Sequence, residues 1–297
     1  MLNIAAAHVL CLGLFTADHV TRAWRIQVLA RGLGRRTRFI DCFTLNAASD
    51  ATAAVTPLKV GGEPVRFAGL VKAGLNVSDT IALISVESIV EWLVILTTGG
   101  WIVWRWGGEW WRAEQHTLLP HLMRVVPWAL VIIGVGVVCW LLLRRFLPRI
   151  SVHVGATLRD SLRLARRMHT WAIIASIPLT IVHVVARIAI LPVVLATLAD
   201  PPALGTVVVG SFALLYSQNF LPTPSGAGAV ELGFLNGAAG YVGPDAESLL
   251  LMWRFYTTLL AIALGLVFGA LLYSPSLHRV ARRILSRRTV RESDPRG

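Results

Sequence analysis

The sequence predicts an all-α fold: a polytopic membrane helical bundle with about five full spans plus two broken or re-entrant helical hairpins arranged as an inverted repeat. Three observations predict it. Of the 297 residues, 55% are hydrophobic and 15% charged, with a mean hydropathy of +0.65. A water-soluble domain carries nearer a quarter of charged residues, so the apolar surplus calls for lipid as a second solvent. Several apolar runs reach the ~20 residues that cross a ~30 Å hydrocarbon core. Two further apolar segments are interrupted by Gly and Pro in a similar way.

The spans are expected at residues 81–104, 126–147, 172–198 and 247–273, with a fifth at 2–20 that carries His8, Asp18 and His19. The interrupted segments are residues 39–75 and 203–243. Arginine sets the orientation, because cytoplasmic loops carry the excess of positive charge. Six Arg lie in residues 22–38, seven in 144–167 and seven from Arg279 onward, and these stretches are assigned to the cytoplasm. The segment 105–124, with Glu109 and Glu114, and the link around Asp200 face outward. The N-terminus is then outside and the C-terminus inside a bacterial cytoplasmic membrane. The net charge of +12 flanks membrane segments instead of one face of a soluble domain, which excludes a nucleic-acid partner.

Residues 151–169 set Leu158, Leu162 and Ala165 opposite Arg159, Arg163, Arg166 and Arg167, the pattern of an interfacial helix on an anionic membrane surface. The expected organisation is a single integral membrane domain over 1–278. Half one, about 1–147, and half two, about 171–275, are joined by the cytoplasmic helix 151–169, and 279–297 form a basic cytoplasmic tail. Cys11, Cys42 and Cys139 sit in apolar stretches and give no disulfide framework. No basic segment precedes the first apolar run, so no cleaved signal is expected. Trp101, Trp104, Trp106, Trp110 and Trp111 form an outer aromatic belt. The small residues Ala47, Ala48, Ser49, Ala51, Ala53 and Ala54 permit close helix packing.

Residues 39–75 begin and end on the cytoplasmic side, and 203–243 begin and end outside, so each must turn back. The first break reads Thr56-Pro57-Leu58-Lys59-Val60-Gly61-Gly62-Glu63-Pro64-Val65-Arg66, downstream of Asn46. The second reads Pro222-Thr223-Pro224-Ser225-Gly226-Ala227-Gly228-Ala229-Val230-Glu231, downstream of Asn219. Both share the Asn, a Thr-Pro, two glycines and a Glu. Such a repeat places a binding site where the breaks meet near the midplane.

A helix broken inside a membrane exposes N–H groups with partial positive charge, which suits a phosphate. Pro64 fits the first position of such a half-helix. Gly61 and Gly62 in one break, and Ser225, Gly226 and Gly228 in the other, bring backbone close to a headgroup. With Arg66, Arg187 and Arg254 they make the expected substrate site. Ionisable residues in a span normally face the interior. Glu87 and Glu91 stand one turn apart, as do His183 and Arg187, and a register-fixing pair such as Arg254 with Glu91 is the structural alternative. Glu63 and Glu231 either cap the half-helices or take a proton as the anion arrives. With Glu87, Glu91 and His183 they form the expected coupling or gating set. No metal-ligand spacing is present and no cofactor is expected.

These same residues resemble the lysylphosphatidylglycerol synthase transmembrane family, flippase-like integral membrane proteins, over essentially the whole chain. The early motif appears as Pro57, Lys59, Gly61-Gly62-Glu63 and Arg66. The late one appears as Pro222, Pro224, Gly226, Gly228 and Glu231, and Glu87, Glu91 and Arg254 match the helices that follow. Ser225 stands where the family usually carries a glycine, and Glu91 replaces a more usual Asp. The resemblance implies a transporter or flippase for a phosphate-bearing lipid headgroup, with phospholipid or another lipid-linked anion as its partner. A transporter of a soluble organic anion is the alternative. An integral membrane lipid-phosphate transferase is less favoured, because the eight aspartates are scattered and offer no catalytic or metal cluster.

Overall fold

Helix α1 runs over Ile4–Gly32, and the side chain of Asn3 caps it by accepting from the Ala5 N–H. In the computed structural model, which describes residues 2–108, Arg112 and 168–270, this first span is longer than the apolar run 2–20. Arg22 and Arg25, counted in the sequence as loop residues, lie inside the helix and are buried. The apolar series continues past them through Ile26, Leu29 and Ala30. Ion pairs to other helices offset the cost of burying the two guanidinium groups.

A broken hairpin follows. Helix α2 spans Phe39–Val55, a 3₁₀ turn covers Pro57–Lys59, and α3 spans Gly62–Lys72. At ~1.5 Å per residue the arms are about 26 and 17 Å long, so neither crosses a ~30 Å core. Helix α4 spans Val77–Gly108, and the Asn76 carboxamide caps it by accepting from the Asp79 N–H at 2.7 Å.

The second part repeats this order. Helix α5 spans Thr170–Leu195. A second broken hairpin consists of α6, Leu204–Ser217, a 3₁₀ turn at Pro224–Gly226 and α7, Ala229–Val242. Helix α8 starts at Ala246–Arg254, passes through a π-turn at Phe255–Leu259 and continues to residue 270.

Among the described residues, four helices are long and apolar enough to cross a membrane: Ile4–Gly32, Val77–Gly108, Thr170–Leu195 and Gly243–Ala270. They correspond to four of the five expected spans. The fifth, 126–147, lies outside the described residues, as do the amphipathic segment up to 167, the tail 279–297, Cys139, Trp110 and Trp111.

Helices α1 and α5 pack along each other. Gly32 permits this, since a Cβ there would come within 2.5 Å of Ala172 Cβ. Lipid tails are as apolar as the core, so close packing and polar contacts hold such helices together. The small-residue run of α2 serves this purpose against α8. A Cβ on Gly265 would collide with the Ala47 carbonyl and Ala51, and Gly269 lies over Ala48. Pro192 inside α5 removes the N–H that would pair with the Ile188 carbonyl, and the Ser211 hydroxyl of α6 donates to that carbonyl at 2.8 Å.

Candidate functional site: a charged cavity between two broken hairpins

The two breaks adopt the same local backbone. Thr56 (φ −109°, ψ 145°) and Thr223 (φ −100°, ψ 151°) are extended, as a residue before proline must be. After the prolines, Leu58 and Ser225 take left-handed φ values of 53° and 47°, followed by Lys59 at 56° and Gly226 at 68°. Left-handed backbone strains residues that bear a Cβ, and such strain concentrates at functional sites. Gly226 has a second requirement, because a Cβ there would lie 2.7 Å from Val230.

The breaks meet. The Ser225 hydroxyl donates to the Ala54 carbonyl at 3.0 Å, and the two 3₁₀ turns are in contact.

Beyond the turns the hairpins differ. Thr56 Oγ1 accepts from the Gly61 N–H at 2.9 Å, and α3 starts at Gly62. Pro64 is therefore the third residue of the half-helix instead of the first. It is tolerated there because first-turn N–H groups have no intrahelical partner. In the second break, Glu231 caps its helix by accepting from the Gly228 N–H at 2.6 Å.

Between the breaks and the spans lies a cavity of about 230 Å³, lined by residues of both hairpins and of α1, α4, α5 and α8. Its walls hold an ion-pair lattice. Arg22 grips Asp50 with two hydrogen bonds of 2.5 and 2.9 Å. Arg25 donates to Glu87 at 2.6 and 3.0 Å, to Glu91 at 2.8 Å and to Thr180 at 3.2 Å. Arg66 also pairs with Glu87. His183 Nδ1 lies 3.1 Å from Asp18 Oδ1, and Arg187 approaches Asp18 only to 4.0 Å. Lys59 lines the cavity and makes no ion pair among the described residues. Charges buried in pairs hold one another in place, and removal of one partner leaves the other exposed to the full desolvation penalty.

The expected site residues distribute as follows. Arg66, Arg187, Gly62, Ser225, Glu63, Glu87 and Glu91 line the cavity. His183 is buried just behind Asp18. Gly61 closes the first turn. Gly226 and Gly228 shape the second, with φ of 68° and 86°. Arg254 and Glu231 pair with each other at 2.6 Å, and Arg254 donates to the Ser225 carbonyl at 3.1 Å. Arg254 thus braces the second break from behind. The register pair Arg254–Glu91 does not form, and Glu91 takes Arg25 instead.

Asp18, His19, Arg22, Asp50 and Tyr216 also line the cavity and were not singled out from the sequence as site residues. One signal was available. Asp18, Arg22 and Arg25 recur at helical spacing, and the apolar series resumes after them, which marks a helix continuing with a charged inner face.

Long apolar helices around a buried, charge-lined cavity define a polytopic helical membrane protein. The family model described as Lysylphosphatidylglycerol synthase TM region matches residues 2–265, and the chain belongs to that family. A 69-residue stretch is 35% identical to a UPF0104 membrane protein of Archaeoglobus fulgidus. That match covers 23% of this chain and 21% of the relative, so the chain spans about a fifth of the length of the curated relative it matches. No solved structure matches.

Proposed function

We propose that this protein is a membrane transporter of the flippase type, which moves a phosphate-bearing lipid headgroup across a bacterial cytoplasmic membrane without converting it. The observation that carries this reading is the pair Lys59 and Arg187. Both line the cavity where the breaks meet. Lys59 has no ion pair among the described residues, and Arg187 has only the 4.0 Å contact with Asp18. The other arginines of the wall, Arg22 and Arg66, each hold a close ion pair with a carboxylate. An anion entering the cavity completes the coordination of these two cations, and the first-turn N–H groups of α3 add partial positive charge nearby. The cavity is several times the ~30 Å³ share of a water molecule. That is room for a headgroup, while the tails stay in lipid.

The matching Thr-Pro turns support two halves of opposite orientation. In this arrangement, rocking of one half against the other exposes a midplane site to each side in turn. Without Arg22 and Arg25, the loop after α1 still carries Arg35, Arg36 and Arg38 beside Arg31, which keeps it cytoplasmic and the N-terminus outside. The family's description names the membrane region of a lipid synthase, which favours lipid over a soluble anion.

The test is reconstitution into phosphatidylcholine vesicles containing a trace of phosphatidylglycerol with a fluorescent acyl chain. A membrane-impermeant quencher then reports movement between leaflets. The wild type is expected to accelerate it, and the Lys59→Gln, Arg187→Gln double variant is expected to fall to the protein-free rate. A wild type no faster than empty vesicles overturns the reading. Uptake of soluble glycerol phosphate without lipid movement transfers it to an organic-anion transporter.

A further inference from the structure

Two buried histidines, His19 in the cavity wall and His183 behind Asp18, are placed alike. His19 Nδ1 lies 3.0 Å from the Phe15 carbonyl, a group that only accepts, so this nitrogen carries the proton of the neutral ring. His19 Nε2 then presents a lone pair. It is buried without a hydrogen-bond partner and lies 3.4 Å from Asp50 Oδ2. His183 Nδ1 donates to Asp18 Oδ1. Its Nε2 is likewise buried and unpartnered, 4.0 Å from Glu91 Oε1. On each neutral ring the Nε2 lone pair thus lies within 4.0 Å of a carboxylate oxygen, and a proton on Nε2 would turn repulsion into attraction.

The charges around them are balanced. On α1, Asp18 and Arg22 flank His19, and Arg25 faces His183. Asp50 comes from α2, and Glu87 and Glu91 from α4. Arg187 is one turn beyond His183 on α5, with Arg66 and Lys59 on the first hairpin and the Tyr216 phenol on α6. With Glu63, which also lines the cavity, the five cations Arg22, Arg25, Arg66, Arg187 and Lys59 face the five carboxylates Asp18, Asp50, Glu63, Glu87 and Glu91. A proton on either histidine leaves the lattice positive, and an anion at Lys59 and Arg187 restores neutrality.

We infer that His19 and His183 form a proton-binding site linked to the anion site, so that a proton and a phosphate-bearing anion occupy the cavity together. This rests on the transport reading above. Each proton comes from water in the cavity, adds to the Nε2 lone pair and is returned to water when the anion departs. Linkage makes the effect reciprocal: bound anion raises proton uptake, and low pH tightens anion binding.

The test uses the full chain in maltoside detergent micelles, which carry no phosphate, with ¹⁵N-histidine, with and without phosphatidylglycerol. His19→Gln and His183→Gln assign the two rings, and the titration itself is read on the wild type. Addition of phosphatidylglycerol at fixed pH is expected to raise the imidazolium population of the pair, by up to about one proton per bound lipid. Its affinity is expected to fall about tenfold from about pH 6 to about pH 8. Rings that stay neutral over that range with lipid present, or that titrate identically with and without it, overturn the inference. Rings that respond to lipid in a protein that moves no lipid between leaflets leave the proton site standing and sink the transport reading alone.

Discussion

The Ser225 hydroxyl donates to the Ala54 carbonyl at 3.0 Å across 171 residues of sequence, and it does so from a left-handed backbone with φ 47°. The contact ties one broken hairpin to the other at the cavity wall. The strain in Ser225 opposes the bond, and this opposition separates two substitutions. Ser225→Ala keeps the strain and loses the bond, at about 1 kcal/mol. Ser225→Gly loses the bond and relieves about 1 kcal/mol of strain. Thermal unfolding in detergent should place the glycine variant near wild type and the alanine variant below both.

Ser211 substitutes for a hydrogen bond that Pro192 removes. Ser211→Ala leaves the Ile188 carbonyl without its hydroxyl partner, at about 1–3 kcal/mol. In a Pro192→Ala background the helix can supply its own N–H to that carbonyl. The same Ser211→Ala change should then cost little, and a double-mutant cycle of unfolding free energies reads the difference.

Packing of α8 on α2 makes a sharp steric prediction. Gly265→Ala drives a methyl into the Ala47 carbonyl and should cost about 1–3 kcal/mol. At Gly269 the nearest atom, Ala48 Cβ, lies at 3.5 Å, so Gly269→Ala should fall within about 0.5 kcal/mol of wild type. Comparable losses at both positions would contradict the packing.

Arg22 and Asp50 are a buried bidentate pair joining α1 to α2. Arg22→Met or Asp50→Leu alone strands a charge and should cost about 3–5 kcal/mol. The double variant should be more stable than either single one, because no stranded charge is left. Additive losses would show that the two residues act separately.

The helical class and four spans were legible because hydropathy is a sum over some twenty residues and tolerates local exceptions. The breaks were legible for a different reason: Thr-Pro and glycine fix backbone angles locally, whatever surrounds them. The extension of α1 was not legible. Arg22 and Arg25 look like the start of a basic loop until their partners appear, and those partners, Asp50 and Glu87, lie 28 and 62 residues further on. The roles of the acidic residues were equally hidden. Glu231 caps its own helix and holds Arg254, whereas Glu63 makes no ion pair among the described residues, although the two occupy related places in the motifs.

By itself, the sequence determined that this chain is a helical membrane protein interrupted twice at Thr-Pro turns, because apolar content and local backbone chemistry need no distant partner. Which charges are cancelled and which two cations stay available was decided only in the tertiary structure. Burial makes every charge answer to its nearest neighbours, and those neighbours come from helices far apart along the chain.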